Sequence, residues 1–164
     1  MTLEQFNSAP EHEAQKHIAH CVAIPEWCAA LVAARPFTTL ESLLKSGEEL
    51  ARTWSQQALN QALTAHPRIG EKAGGSGKEA ELSRSEQSSV NAQDATLTQA
   101  LREGNVAYEQ RFGRVFLIRA KGRSGEEMLA ELQRRLANDP QQEQQEALNQ
   151  LREITLLRLK ETIQ

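Results

Sequence analysis

Apolar residues recur along this chain at helical spacing. Leu40, Leu43 and Leu44 fall on one helix face, as do Leu129, Leu132 and Leu136, and again Leu148, Leu151, Leu156 and Leu159. The positions between them are mostly Gln, Glu, Arg and Ala, all good helix formers. Polar start signals frame these runs. Ser8-Ala-Pro-Glu11, Thr38-Thr-Leu-Glu41, Ser83-Arg-Ser-Glu86 and Ser124-Gly-Glu-Glu127 each have the form of a capping box, in which a hydroxyl and a carboxylate satisfy backbone N–H groups that the first turn leaves unpaired. Pro10, Pro25 and Pro140 stand where a first turn accepts proline. Together these features predict helices over about 10–21, 25–34, 39–53, 55–65, 83–111, 124–137 and 140–162.

Two segments interrupt the pattern. Residues 66–82 carry Gly70, Gly74, Gly75 and Gly77 and read as a loop. Residues 112–120 include Val115 to Ile118, which favour extended backbone but form too short a run, with no partner strand in view. They read as an extended connector inside an all-α helix bundle. No repeat or linker divides the chain, so residues 1–164 are expected to form one domain.

Composition narrows the function classes. A chain of 164 residues with 39% hydrophobic positions can bury a core without metal or disulfide support. The net charge of −3 lacks the basic excess of a general nucleic-acid binder, and 4% aromatic content disfavours base stacking. No apolar run reaches the length of a membrane span. The polar, acidic start is unlike a signal or transit peptide, and Lys160 to Gln164 is not a peroxisomal address, so a cytoplasmic location is expected. Cys21 and Cys28 read as small buried hydrophobes rather than a disulfide framework.

Candidate chemistry is sparse. The glycine-rich loop does not make a phosphate loop, because Gly77-Lys78 is followed by Glu79 where Ser or Thr is needed. His12, His17 and His20 lie close together but lack a ligand motif, so no metal site is expected. His66 stands before Pro67, which biases it out of helical backbone at the mouth of the loop. It reads either as an acid–base group or, slightly better on spacing alone, as a cation closing a helix C-terminus. Glu86 reads first as the reciprocal partner in the Ser83 box, and second as a carboxylate facing a ligand beside first-turn N–H groups. Arg158, within Leu156-Leu157-Arg158-Leu159, either snorkels from the apolar face or forms a partly buried clamp for a planar anion or ureide.

The chain resembles the OHCU decarboxylase family, whose substrate is 2-oxo-4-hydroxy-4-carboxy-5-ureidoimidazoline. The residues that carry the resemblance are Ala65-His66-Pro67, Ser83-Arg84-Ser85-Glu86-Gln87-Ser88, Asn105-Val-Ala-Tyr108-Glu-Gln-Arg111-Phe112-Gly113, Phe116, and Arg134-Arg135-Leu136-Ala137-Asn138-Asp139. It runs from near Phe6 to the last helix. The chain departs from the family pattern at Arg68, where Asp is frequent, and at Val115, where Pro is frequent. The resemblance implies a small all-α enzyme of urate breakdown that needs no cofactor and yields S-allantoin and carbon dioxide. It implies a catalytic set of His66, Glu86 and Arg158. Substrate contacts would come from Pro67, from Ser83, Arg84, Ser85, Glu86 and Gln87, and from Phe116, Leu117, Ile118, Arg119 and Ala120. Backbone groups left unpaired in the extended Phe116–Ala120 segment would bind the ureide. The implied partner is this ureide substrate, with a homodimer as the assembly it allows. The alternatives are a non-enzymatic helical binding module and a divergent relative that binds ureides without decarboxylating them.

Overall fold

A computed structural model describes residues 1–64 and 95–164. The chain divides into two compact units, Met1–Ala62 with Arg152–Gln164, and Leu63–Leu151. Among the described residues the regular elements are eight α-helices, and no strand is present, in keeping with the all-α expectation.

The first unit holds α1 (Leu3–Ser8), α2 (Glu11–Ile18), α3 (Pro25–Ala33), α4 (Leu40–Ala51) and nearly all of α5 (Gln56–Leu63). The second holds α6 (Ala95–Phe112) and α7 (Gly125–Arg135). The last helix, α8 (Pro140–Thr162), supplies its residues 140–151 to the second unit and 152–162 to the first.

Helix α1 was not expected from the apolar pattern, because six residues are too few to show a period. A capping box starts it: the Gln5 N–H donates to Thr2 Oγ1 at 3.1 Å, and the Thr2 N–H donates to Gln5 Oε1 at 2.9 Å. Arg35 closes its other end. Its Nη1 donates to the carbonyls of Phe6 at 2.8 Å and Ala9 at 2.7 Å, groups that a helix C-terminus leaves unpaired.

Two expected caps are corrected. Ser8 turns its hydroxyl back to the Glu4 carbonyl at 3.0 Å, so α2 begins after Pro10 with no side-chain cap. Thr39, not Thr38, has the extended N-cap backbone of α4, and its reciprocal partner is Ser42. Pro25 occupies the first turn of α3 as expected, and Ser124 Oγ accepts from the Glu127 N–H at 3.0 Å, the serine half of the expected box. Helix α2 also ends earlier than the spacing predicts, since residues 19–21 form a turn.

In the first unit α3 and α4 meet at a glycine. Trp27 Nε1 donates to the Gly47 carbonyl at 3.0 Å, and a Cβ at position 47 would stand 3.3 Å from the side chains of both Trp27 and Leu159. The chain ends pair in this unit too, through Leu3 N–H to the Gln164 carbonyl at 2.9 Å and Gln164 N–H to the Met1 carbonyl at 3.1 Å.

In the second unit, α6 buries Leu97, Leu101, Asn105 and Tyr108, a stripe at helical spacing. Gly113, at φ +72°, ends the helix with its N–H on the Glu109 carbonyl at 2.9 Å, a left-handed cap that glycine adopts without strain. Residues 115–120 then lie between α6 and α7 with no helix, strand or turn. They contribute Phe116, Ile118 and Ala120 to a core shared with Tyr108, Met128 and Leu132. A turn from Ala120 to Arg123, closed at 3.1 Å, places Gly122 at φ +83° and leads into α7.

Candidate functional site

The Phe116–Ala120 connector is the part of the expected site that the structure describes most fully. Alternation would put successive side chains on opposite sides, yet Phe116, Leu117, Ile118 and Ala120 are all buried, so both faces of the segment are covered. The Phe116 ring packs edge-on to Tyr108 with centroids 5.2 Å apart, and the Arg135 guanidinium lies 4.5 Å from its centroid. The ring thus meets both an aromatic neighbour and a cation.

The backbone of the segment is less open than the sequence suggests. Arg135 Nη1 donates to the Leu117 carbonyl at 2.8 Å. The Arg119 N–H donates to Gln150 Oε1 at 2.8 Å. The Ala120 carbonyl closes the Gly122 turn. These three groups already have partners, which corrects the expectation that the whole extended run is unpaired. Between the two side-chain contacts, no hydrogen bond among the described residues reaches the N–H or C=O of Ile118.

Behind the segment lies a buried polar cluster. Glu143, near the start of α8, receives Arg135 Nη2 at 2.5 Å, Asn138 Nδ2 at 3.2 Å and the Tyr108 hydroxyl. Burial, and then the hydrogen bond to Glu143, push the Tyr108 hydroxyl well above the ordinary tyrosine range, so it remains a neutral donor. Arg135, Glu143 and Gln150 were not singled out as site-forming residues from the sequence. The signal is nonetheless present: Arg135 continues the Leu129–Leu132 apolar line of α7, and Glu143 continues the Ala147–Leu151 line of α8. Opposite charges on two apolar stripes joined by a short turn point to a buried pair.

Arg158, in the first unit, lies on the buried face of α8 and is 0% exposed, which removes the snorkelling alternative. Its Nη1 donates to the His20 carbonyl at 3.3 Å. The Thr162 hydroxyl donates to the Arg158 carbonyl at 2.7 Å and therefore accepts from His20 Nε2, also at 2.7 Å. The imidazole of His20 thus carries its proton on Nε2 and acts as a fastening for the end of α8.

His66, Pro67, Ser83, Arg84, Ser85, Glu86 and Gln87 lie outside the described residues. Among the described residues, no three His, Cys, Asp or Glu side chains gather where a metal ion could sit, and no helix is long and apolar enough to cross a membrane. Cys21 and Cys28 are buried and not joined in a disulfide, and burial pushes the Cys28 thiol up to about 11.

Comparison with known proteins gives one consistent answer. Residues 7–160 match the family model described as OHCU decarboxylase. The chain is 31% identical to the 2-oxo-4-hydroxy-4-carboxy-5-ureidoimidazoline decarboxylase of Amia calva over 170 aligned positions, covering all of this chain and 95% of that protein. It is 32% identical to the uric acid degradation bifunctional protein of Arabidopsis thaliana over 142 positions, covering 85% of this chain and 44% of that protein. Its fold is similar to a crystal structure of OHCU decarboxylase in the presence of (S)-allantoin, with a TM-score of 0.74 at 28% identity over 93% of this chain and 97% of that one. Family model, near-full-length relative and fold agree over almost the entire sequence, and the chain belongs to the OHCU decarboxylase family.

Proposed function

We propose that this chain decarboxylates 2-oxo-4-hydroxy-4-carboxy-5-ureidoimidazoline to S-allantoin and carbon dioxide in urate degradation. The observation that carries the reading is the match to the Amia calva decarboxylase over all of this chain and 95% of that protein. The family match over residues 7–160 supports treating the whole chain as one functional domain.

The substrate supplies its own electron sink. The C–C bond to the carboxylate breaks, carbon dioxide leaves, and the electron pair passes toward the neighbouring C=N unit. The nitrogen of that unit takes a proton; a second proton is then added to the ureido-bearing carbon, while the hydroxyl beside it loses its proton and becomes the carbonyl of allantoin. No cofactor is needed to hold the electrons, so the protein's task is to orient the carboxylate and move protons on one face.

His66 takes the acid–base role, on the hydroxyl or in the final protonation. Glu86 accepts N–H bonds of the ureide or ring, Ser83 and Gln87 add neutral hydrogen bonds, and Pro67, Arg84 and Ser85 complete that side. Arg158 holds an anionic or carbonyl oxygen. The connector binds the ureide through backbone groups that internal bonds leave available, foremost those of Ile118. In the finer reading the enzyme is cytoplasmic and works as a homodimer, and it is the homodimer that the family resemblance implies.

The test follows circular dichroism while freshly generated substrate decays. Spontaneous decay yields racemic allantoin, so an early S-allantoin signal marks catalysis. His66→Asn should lower turnover by roughly 10²–10⁴-fold with the fold retained. Racemic product from the parent protein would sink the assignment, and full stereospecific turnover by His66→Asn would remove that residue from it.

A further inference from the structure

Two side chains from different helices grip the connector at adjacent peptide units. Arg135 on α7 donates to the Leu117 carbonyl at 2.8 Å, and Gln150 on α8 accepts from the Arg119 N–H at 2.8 Å. One grip is a donor and the other an acceptor, so they fix both the rotation and the register of the segment. Sliding it by one residue would present each with a group of the wrong kind, or with none. The Ile118 N–H and C=O lie between the two and have no hydrogen bond among the described residues.

The grips are not equally built. Arg135 is committed to Glu143 and is part of the buried cluster that organises the unit. Gln150 is half-buried, makes its hydrogen bond to the connector alone among the described residues, and comes from α8 beyond that cluster. A glutamine at this place adds little to the core. Its evident effect is on where the Arg119 amide, and with it the Ile118 carbonyl on the same peptide unit, points.

We propose that Gln150 is a positioning residue for ureide recognition: by accepting from the Arg119 N–H it turns the Ile118–Arg119 peptide so that the Ile118 carbonyl is presented to a ureido N–H of the ligand. This rests on the reading that residues 116–120 bind the ureide. The side chain does not touch the ligand and moves no proton; it acts through the backbone. Its loss therefore weakens ground state and transition state alike, raising KM and leaving kcat in place.

The test compares the parent with Gln150→Met, which keeps length and removes the acceptor, and Gln150→Glu, which restores an acceptor oxygen. A lost hydrogen bond that leaves a partner unsatisfied predicts a rise in KM of about tenfold for Gln150→Met, with kcat within about twofold of the parent. Gln150→Glu should return KM most of the way, and the thermal midpoint of Gln150→Met should fall by only a few degrees. In parallel, (S)-allantoin is titrated into the 15N-labelled parent while the amides of residues 116–120 are followed. An unchanged KM in Gln150→Met, with parent amide shifts at 116–120, overturns the positioning role and leaves the connector as the binding segment. Parent shifts that avoid 116–120 overturn the binding segment and the positioning role together. If Gln150→Met does not fold, Gln150→Asn withdraws the same oxygen by one methylene, and its KM decides by the same criterion.

Discussion

Arg135 and Glu143 face each other in the interior of the second unit with 1% and 0% of their side-chain surfaces exposed, joined at 2.5 Å between Nη2 and Oε2. The same carboxylate takes Arg135 Nε at 3.0 and 3.1 Å and the Tyr108 hydroxyl, while Arg135 Nη1 reaches on to Leu117. One ion pair thus fastens α6, α7, α8 and the connector to one another. Removing both ions from water is costly, and the dense set of hydrogen bonds is what offsets that cost.

Breaking this pair from one side should be severe. Arg135→Met leaves Glu143 buried without its counter-ion and releases the Leu117 carbonyl, and the expected loss is about 3–5 kcal/mol. Urea unfolding of the parent and variant measures it. A loss below about 1 kcal/mol would mean that water reaches the carboxylate and that the cluster is not the fastening described above. Glu143→Gln should also be severe, because the Arg135 guanidinium then stays buried and charged without its counter-ion, although the amide oxygen still accepts one of its bonds.

The contrast between the helices and this cluster explains what could be read from the sequence. Periodicity and caps place α3, α4, α7 and α8 within a few residues, because the signals are local: Pro25 at a first turn, Ser124 before Glu127, leucines at fixed spacing. Helix α1 escapes, since it is shorter than two turns and depends on Arg35, a residue far along the chain. The connector was legible as a break between helices but not as gripped, because Arg135 and Gln150 are 18 and 31 residues away and no local pattern links them to it. Arg158 was singled out for its chemistry, while its burial follows from the full turn pattern of α8, Leu151, Thr155, Arg158 and Thr162. His66 and the Ser83–Gln87 run belong to the residues outside the described structure, so their roles still rest on the family resemblance.

Gly104 on α6 lies against Leu132 on α7. A Cβ there would stand 2.5 Å from Leu132 Cδ2 and 3.2 Å from its Cγ, and Leu132 is fully buried. Gly104→Ala gains about 1 kcal/mol of helix propensity but forces a packed leucine to move, at about 1–3 kcal/mol. The net outcome expected is a lower thermal midpoint, with much of the loss recovered in Gly104→Ala combined with Leu132→Val. A single variant more stable than the parent would show that Leu132 has room to turn aside.

The Cys28 thiol gives a stability difference with a defined pH window. Its pKa is pushed from 9.0 to about 11, mainly because burial penalises the thiolate; the backbone bond to Cys28 works against the shift and Glu26 adds to it. In the unfolded chain the thiol ionises first, so alkali favours unfolding. The contribution is fully present below about pH 9 and is lost as pH rises through about 11, amounting to something on the order of 2 kcal/mol. Other groups also titrate there, so the readout is the difference between the parent and Cys28→Ala. The parent should lose stability relative to the variant over this window, and parallel pH curves would show that Cys28 ionises in place.

Arg158 offers the sharpest separation of charge from shape. A guanidinium presents planar, forked donors, whereas lysine offers a single rotatable ammonium, and only the former can hold the His20 carbonyl while meeting a planar carboxylate or ureide edge-on. Arg158→Lys keeps the positive charge in a site that is 0% exposed. If Arg158 acts only as a fastening for α8, lysine should lower stability and leave turnover per folded molecule unchanged. If it holds the reacting anion or carbonyl, kcat/KM should fall by roughly 10²-fold in protein whose fold and thermal midpoint remain close to those of the parent. Added guanidinium should then restore part of the activity in Arg158→Ala, because the small ion can occupy the vacated space and supply the same forked donors. Turnover that tracks the folded fraction alone would leave Arg158 with a structural role and remove it from the catalytic set.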